Sequence, residues 1–147
     1  MILVDANILM YAAGSEHPHR DPSLSFLEDV AEGRVDAALD AEVLQEVLHR
    51  YRAIGRWADG RRVYDGARRI FAVVLPVSVE VLDRARALLD EQLGLSARDA
   101  VHAGVVETYR LEAICSFDSH FDDVPSIRRV EPGDLKSCAV RISSRSE

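Results

Sequence analysis

At 147 residues, 48% of them hydrophobic, the chain is long enough for one domain with its own core and too apolar for a disordered polymer. Its two cysteines, Cys115 and Cys138, have no CxxC spacing, so neither a disulfide scaffold nor zinc or thiol redox chemistry is indicated. The formal net charge of -7 argues against a protein that grips nucleic acid by bulk electrostatics. The apolar opening carries Asp5 and lacks a basic flank, and no apolar run approaches membrane-spanning length. A soluble protein of the reducing cytoplasm is expected.

In chain order, Met1 to Val4 is a short apolar run without alternation, the pattern of a strand covered on both faces. Asp5 stands at its carboxyl end, where open α/β sheets place their ligand crevice, and a helix should begin there; Asp5 could equally be its cap. A polar loop, Gly14 to Arg20, leads to Asp21-Pro22, a good helix start, with the helix running to Gly33. Val35 to Leu39 reads as a second strand. From Asp40 a helix carries Val43, Leu44, Val47, Leu48, Tyr51 and Ile54 and is ended by Gly55. The next helix, Trp57 to about Ala72, is weakened by Gly60 and Gly66.

Val73 to Val77 is a strand in which Pro76 suggests an edge or an end. Ser78 caps a helix with Val81, Leu82, Ala85, Leu88, Leu89 and Leu93 on one face, stopped by Gly94. Ser96 caps another to about Arg110. Ala113 to Ser116 is a buried strand, Phe117 to Asp123 a loop, and Ile127 to Val130 a further short strand. Strands alternating with helices at these lengths mean an α/β fold, a parallel sheet of four to five strands with helices on both faces. Residues 1–135 are expected to form the domain and 136–147 a polar, mobile tail.

Charge is unevenly spread. Between His49 and Ile70 lie Arg50, Arg52, Arg56, Arg61, Arg62, Arg68 and Arg69 against only Asp59 and Asp65, either a basic rim beside an acidic site or a solvated helix face. Four acids sit where the fold could gather them: Asp5 after the first strand, Glu46 on the third helix, Asp99 in a first helical turn and Asp118 past the fourth strand. Each also has a plainer role open to it. Glu46 lies about 130° from the centre of its helix's apolar stripe at 100° per residue, at the edge of the buried face or outside it. Ser96-x-x-Asp99 has capping-box spacing, and Asp118 suits a turn, as do Asp122 and Asp123.

Clustered carboxylates repel unless a cation is present. Oxygen ligands without suitably spaced cysteine or histidine select a hard cation, magnesium or manganese, and such sites run phosphoryl chemistry. The histidines form no competing motif: His17 and His19 fall in a loop, His49 on the arginine-rich face, His102 in a helix and His120 in the last loop.

Four stretches, Val4-Asp5-Ala6-Asn7, Leu44-Gln45-Glu46-Val47, Ala97 to Ala103 around Arg98-Asp99-Ala100, and Cys115 to Asp122 around Ser116-Phe117-Asp118, occur in an order and at a chain length that resemble the PIN-domain ribonucleases. Within that family the pattern resembles the VapC-type toxins of bacterial and archaeal toxin–antitoxin pairs. The match covers residues 1 to about 135. The resemblance implies a three-layer α/β/α PIN-like domain and a magnesium- or manganese-dependent endoribonuclease. By position it implies Asp5, Glu46, Asp99 and Asp118 as the acidic quartet, with Asp5, Asp99 and Asp118 holding metal, Asn7 and Ser116 in support, and Asp122 as a further acid near the metals. It also implies an antitoxin that occupies the cleft and a homodimer of toxin subunits, with RNA as substrate and tRNA or rRNA among the candidates. Ala6 departs from the family's frequent hydroxyl residue, which would remove a hydrogen bond behind a ligand.

Arg50, Arg52, Arg56, Arg61 and Arg62 would steer the RNA backbone or accept an acidic antitoxin segment. Among rivals, a haloacid-dehalogenase-like phosphatase is disfavoured by Asn7, which stands where its second aspartate would be. A receiver domain lacks its phosphate-neutralising lysine, the one lysine being Lys136. A flap-endonuclease relative would need more chain. A catalytically silent protein-binding module on the PIN fold is the alternative of a different class, disfavoured by retention of all four acids.

Overall fold

Residues 1–92 and 94–135 are described by a computed structural model. Strand β1 is Ile2–Val4, followed by helices α1 (Ala6–Ala13) and α2 (Arg20–Ala31); β2 is Ala37–Asp40, followed by α3 (Ala41–Ala53) and α4 (Trp57–Ile70). Then come β3 (Val74–Leu75), α5 (Val79–Glu91), α6 (Ala97–Thr108), β4 (Ile114–Cys115), a 3-10 turn Ser119–Asp123 and β5 (Arg129–Val130). The five strands form one sheet in the order β3-β2-β1-β4-β5, and every neighbouring pair is parallel. The three-layer architecture and the parallel sheet agree with the sequence reading.

The order has a direct consequence. The chain steps outward from β1 to β2 to β3, then returns through α5 and α6 to lay β4 on the other flank of β1. Right-handed crossovers in opposite directions must lie on opposite faces of the sheet, and the side chains agree. Ile2, Val4, Leu39 and Cys115 pack with Ile8, Phe26, Val43 and Val47 from α1 to α3. Leu3 and Ile114 point the other way into a second core with Val81, Leu88, Ala103 and Val105 from α5 and α6. Because strand side chains alternate, the unbroken apolar run of β1 serves both cores. Each such side chain, when fully buried, contributes about 1.5–3 kcal/mol. The direction of stepping reverses between β1 and β4, and their carboxyl ends open a crevice at that switch.

Local differences from the sequence reading have plain causes. β2 lies at 37–40 rather than 35–39, and Asp40, at its end, also caps α3 by accepting the Val43 N–H at 2.8 Å. β3 is a two-residue edge strand, as Pro76 suggested. α4 forms despite its glycines because Gly60 permits contact with α3: a Cβ there would come within 2.5 Å of Tyr51 Cβ. On α5 the buried stripe is Val81, Ala85 and Leu88, while Leu82 is 48% exposed. The sheet and α6 cover only a narrow arc of that helix. Leu93, Cys138 and the expected tail at 136–147 lie outside the described residues. No described helix is long and apolar enough to cross a membrane.

Candidate metal centre

Asp5 follows β1 directly and sits at the N-cap position of α1, yet its side chain makes no capping bond. Instead Asp5 Oδ2 accepts the Ser116 hydroxyl at 2.6 Å, joining the ends of β1 and β4 across the switch crevice. The same Ser116 oxygen accepts the Asn7 amide and the backbone N–H of Asp118, each at 3.0 Å. One fully buried hydroxyl thus orients three of the residues singled out in the sequence. Asp118 is further fixed by accepting the His120 N–H at 2.9 Å, with the His120 ring 2.8 Å from the same oxygen.

The other two acids arrive on helices. Asp99 lies in the first turn of α6, where Ser96 Oγ accepts its backbone N–H at 3.1 Å; the serine half of the capping box is formed, and the Asp99 carboxylate faces the cleft. Glu46 corrects the sequence reading. It is buried, 9% exposed, not at the rim of its helix or outside it. α6 meets α3 only beside the cleft, where Arg98 and His102 close over that face, with Arg98 Nε 3.1 Å from Glu46 Oε1 and 3.4 Å from Glu42. Helical periodicity within α3 carries no information about that neighbour. Asp5, Asn7, Glu46, Asp99 and Asp118 together line a cleft of about 410 Å³, with Arg98 and Arg50 at its wall.

Two expectations are revised. Asp122 does not join the acids: it is exposed and held by Arg129 at 2.9 and 3.0 Å, which keeps its carboxyl below the usual range. Arg129 satisfies Asp122 while also donating to the Ser116 carbonyl. Of Arg50, Arg52, Arg56, Arg61 and Arg62, only Arg50 lines the cleft. Arg56 and Arg62 both pair with Asp59, and Arg52 and Arg61 are solvated.

Sequence reasoning passed over a buried pair beneath the acids. His102 and Asp40 are both fully buried, His102 Nδ1 lies 2.7 Å from Asp40 Oδ2, and Nε2 is directed at Asp5 and Glu46. Two signals could have found it: Asp40 ends a strand beside the one that carries Asp5, and His102 is three residues after Asp99, on the same helix face.

The electrostatics are those of crowded, buried carboxylates. Burial raises the Asp5 pKa, and Glu46 nearby raises it further, against the opposing effects of His102 and the Ser116 hydroxyl. Burial likewise raises Asp99, with Asp118 and Asp5 adding to it. For His102, burial alone would favour the neutral ring, but Asp40 and Glu46 outweigh it and hold the pKa well above the ordinary value. Cys115, behind Asp5, is pushed up to about 12 by burial, an inert thiol.

The residues fit a divalent ion. His102 Nε2 is a buried nitrogen without a hydrogen-bond partner, and its cluster with Asp5 and Glu46 brings three potential ligand atoms within 4.8 Å of one another; Asp99, Asp118 and His120 form a second such group. Carboxylate and imidazole donors at this spacing suit a divalent cation of the magnesium and first-row transition series.

Comparison with known proteins places this geometry in a family. The family model described as PIN domain matches residues 2–127. Ribonuclease VapC13 of Mycobacterium tuberculosis is 40% identical over 130 residues, covering 88% of this chain and 99% of that protein. Among solved structures, VapBC2 from Rickettsia felis bound to a DNA fragment from their promoter superposes with a TM-score of 0.71 at 18% identity, over 89% of this chain and 98% of that one. A toxin–antitoxin complex from Klebsiella pneumoniae gives 0.63 at 20% identity, over 90% and 98%. With four acids gathered at the switch crevice of a five-stranded parallel sheet, the chain belongs to the PIN-domain family and, within it, groups with the VapC ribonucleases.

Proposed function

We propose that the protein is a divalent-metal-dependent endoribonuclease, the toxin of a toxin–antitoxin pair, which cuts RNA phosphodiesters in the cytoplasm and so inhibits translation or growth. The observation that carries this reading is the convergence of Asp5, Glu46, Asp99 and Asp118, from four separate elements, on one cleft. A bound magnesium or manganese ion would supply Lewis-acid polarisation of the phosphodiester and of the attacking water. The chain's own part is positioning. Asp5, Asp99 and Asp118 offer carboxylate oxygens, and Ser116 and Asn7 hold Asp5 and Asp118 in register across β1 and β4. Glu46, pinned by Arg98 on one oxygen, presents the other to the cleft. Arg50 and Arg98 add positive charge where an RNA phosphate would approach.

The relatives' names extend the reading. The VapC13 relative is named a ribonuclease, and a fold neighbour is titled a toxin–antitoxin complex, which supports an antitoxin partner for this chain; its seat over the cleft is proposed from the family resemblance. A homodimer is proposed on the same resemblance.

The test is incubation of the purified chain, freed of any partner, with total cellular RNA in manganese or in EDTA, beside Asp5→Asn, with sequencing of new 5′ ends. Discrete cuts requiring both metal and Asp5 are expected. Cleavage that survives EDTA and Asp5→Asn would refute the assignment, and a folded chain that neither cuts nor takes up manganese would be a silent binding module.

A further inference from the structure

We propose that His102 is itself a metal ligand, whose Nε2 completes with Asp5 Oδ1 and Glu46 Oε2 a mixed nitrogen–oxygen site preferring manganese to magnesium. The inference rests on the metal-dependent reading above and adds a donor that the acidic quartet does not contain.

Three features of the ring support it. First, it is locked. His102 is fully buried, its Nδ1 stands 2.7 Å from Asp40 Oδ2, and the other Asp40 oxygen is occupied by the Val43 N–H at 2.8 Å. An Nδ1–H donating to a carboxylate leaves Nε2 as the atom facing the site, and an ion bound there displaces the proton that the surrounding carboxylates favour on the metal-free ring. This carboxylate–histidine arrangement is the one that orients metal-binding imidazoles.

Second, Nε2 lacks a hydrogen-bond partner although two carboxylates face it, Glu46 Oε2 at 3.6 Å and Asp5 Oδ1 at 4.0 Å. These distances are too long for hydrogen bonds. They are the spacing of donors across a shared ion: atoms each about 2.1 Å from a metal, at angles between a right angle and roughly 150°, lie about 3–4 Å apart.

Third, each carboxylate has its other oxygen committed elsewhere. Asp5 Oδ2 takes the Ser116 hydroxyl at 2.6 Å, and Glu46 Oε1 takes Arg98 at 3.1 Å. The two oxygens nearest Nε2 are therefore the two left for an ion, and Asp5, Glu46 and His102 each bring one potential ligand atom within 4.8 Å of the others. Imidazole nitrogen is a better donor to manganese and the later divalent metals than to magnesium, which prefers oxygen and water.

The experiment is pulsed electron paramagnetic resonance on the full-length wild-type chain with manganese at less than one equivalent, reading nitrogen modulation of the bound ion. Modulation is expected in the wild type. It should convert to the ¹⁵N pattern when histidine alone is labelled, which requires no variant. It should survive His120→Gln, which removes the solvated ring beside Asp118, and vanish in His102→Gln. Asp40→Asn retains a capping oxygen but loses the charge behind the ring, and is expected to weaken manganese binding by about 10–100-fold. Manganese bound without histidine modulation, or modulation that persists in a folded His102→Gln protein, would overturn the assignment and leave the carboxylate reading standing. A folded wild type that takes up no manganese would overturn both.

Discussion

Ser116→Ala removes a single oxygen that ties two strand ends to two acids. In the wild type that atom donates to Asp5 and accepts from Asn7 and from the Asp118 backbone, at 2.6, 3.0 and 3.0 Å, in a fully buried position. A hydrogen bond to a charged group contributes about 1.5–3 kcal/mol and a neutral one about 0.5–1.5 kcal/mol. With one of the first and two of the second sharing an acceptor, and some relaxation of Asn7, a loss of about 3 kcal/mol is expected. At about 2–4 °C per kcal/mol for a domain of this size, the melting temperature should fall by about 6–12 °C. The Ser116 hydroxyl also opposes the burial-driven rise of the Asp5 pKa. Its removal should raise that pKa further, so protons compete with the metal over a wider range and the pH of half-maximal manganese uptake moves up. The assay is urea unfolding in EDTA with a double-mutant cycle to Asn7→Ala, and then a manganese titration against pH. Because the two residues share one hydrogen bond, their effects should be non-additive by about 0.5 kcal/mol or more. A variant within about 0.5 kcal/mol of wild type, with additive effects and an unshifted uptake curve, would refute the network as the organiser of the site.

Two glycines of α4 should respond oppositely. Gly66→Ala meets nothing within 4 Å and should stabilise by about 0.5–1 kcal/mol through helix propensity. Gly60→Ala drives a Cβ into Tyr51 and should destabilise by about 1–3 kcal/mol; equal melting shifts in the two variants would contradict the packing. In EDTA, Asp5, Asp99 and His102 all have raised pKa values in the fold. Their contribution is complete below the ordinary carboxylate range for the acids and below the ordinary imidazole value for His102, and is lost as pH rises through each raised value. Metal-free melting temperature should therefore decline with rising pH, manganese should reverse the decline, and Asp5→Asn should flatten it in EDTA; a decline unaffected by Asp5→Asn would show that it arises elsewhere. Asp122→Asn should leave manganese affinity unchanged, since the Asp122 carboxylate is engaged by Arg129; isothermal titration showing weaker binding would return that residue to the metal site.

Features set by local physics were legible in the amino-acid order. The two-sided burial of Ile2 to Val4, the caps at Ser78 and Ser96 and the stop at Gly55 each depend on a few neighbouring residues, and all are present. An aspartate at the carboxyl end of a buried parallel strand faces a crevice because sheet geometry allows little else, so Asp5 could be singled out early. The remainder depends on how the elements pack. Glu46 is buried because Arg98 and His102 of α6 reach over it, Asp122 is withdrawn by an arginine seven residues away, and Arg98, named only within a motif, pairs with Glu46 while itself staying exposed. Least accessible of all was the Asp40–His102 pair, 62 residues apart in the chain and 2.7 Å apart in space. Its partners lie on different crossovers of the sheet, and only the strand order, with β2 beside β1 and α6 returning beneath them, brings an imidazole under the acids. Periodicity reports which face of an element is apolar, but it cannot report which polar group from another element will meet it.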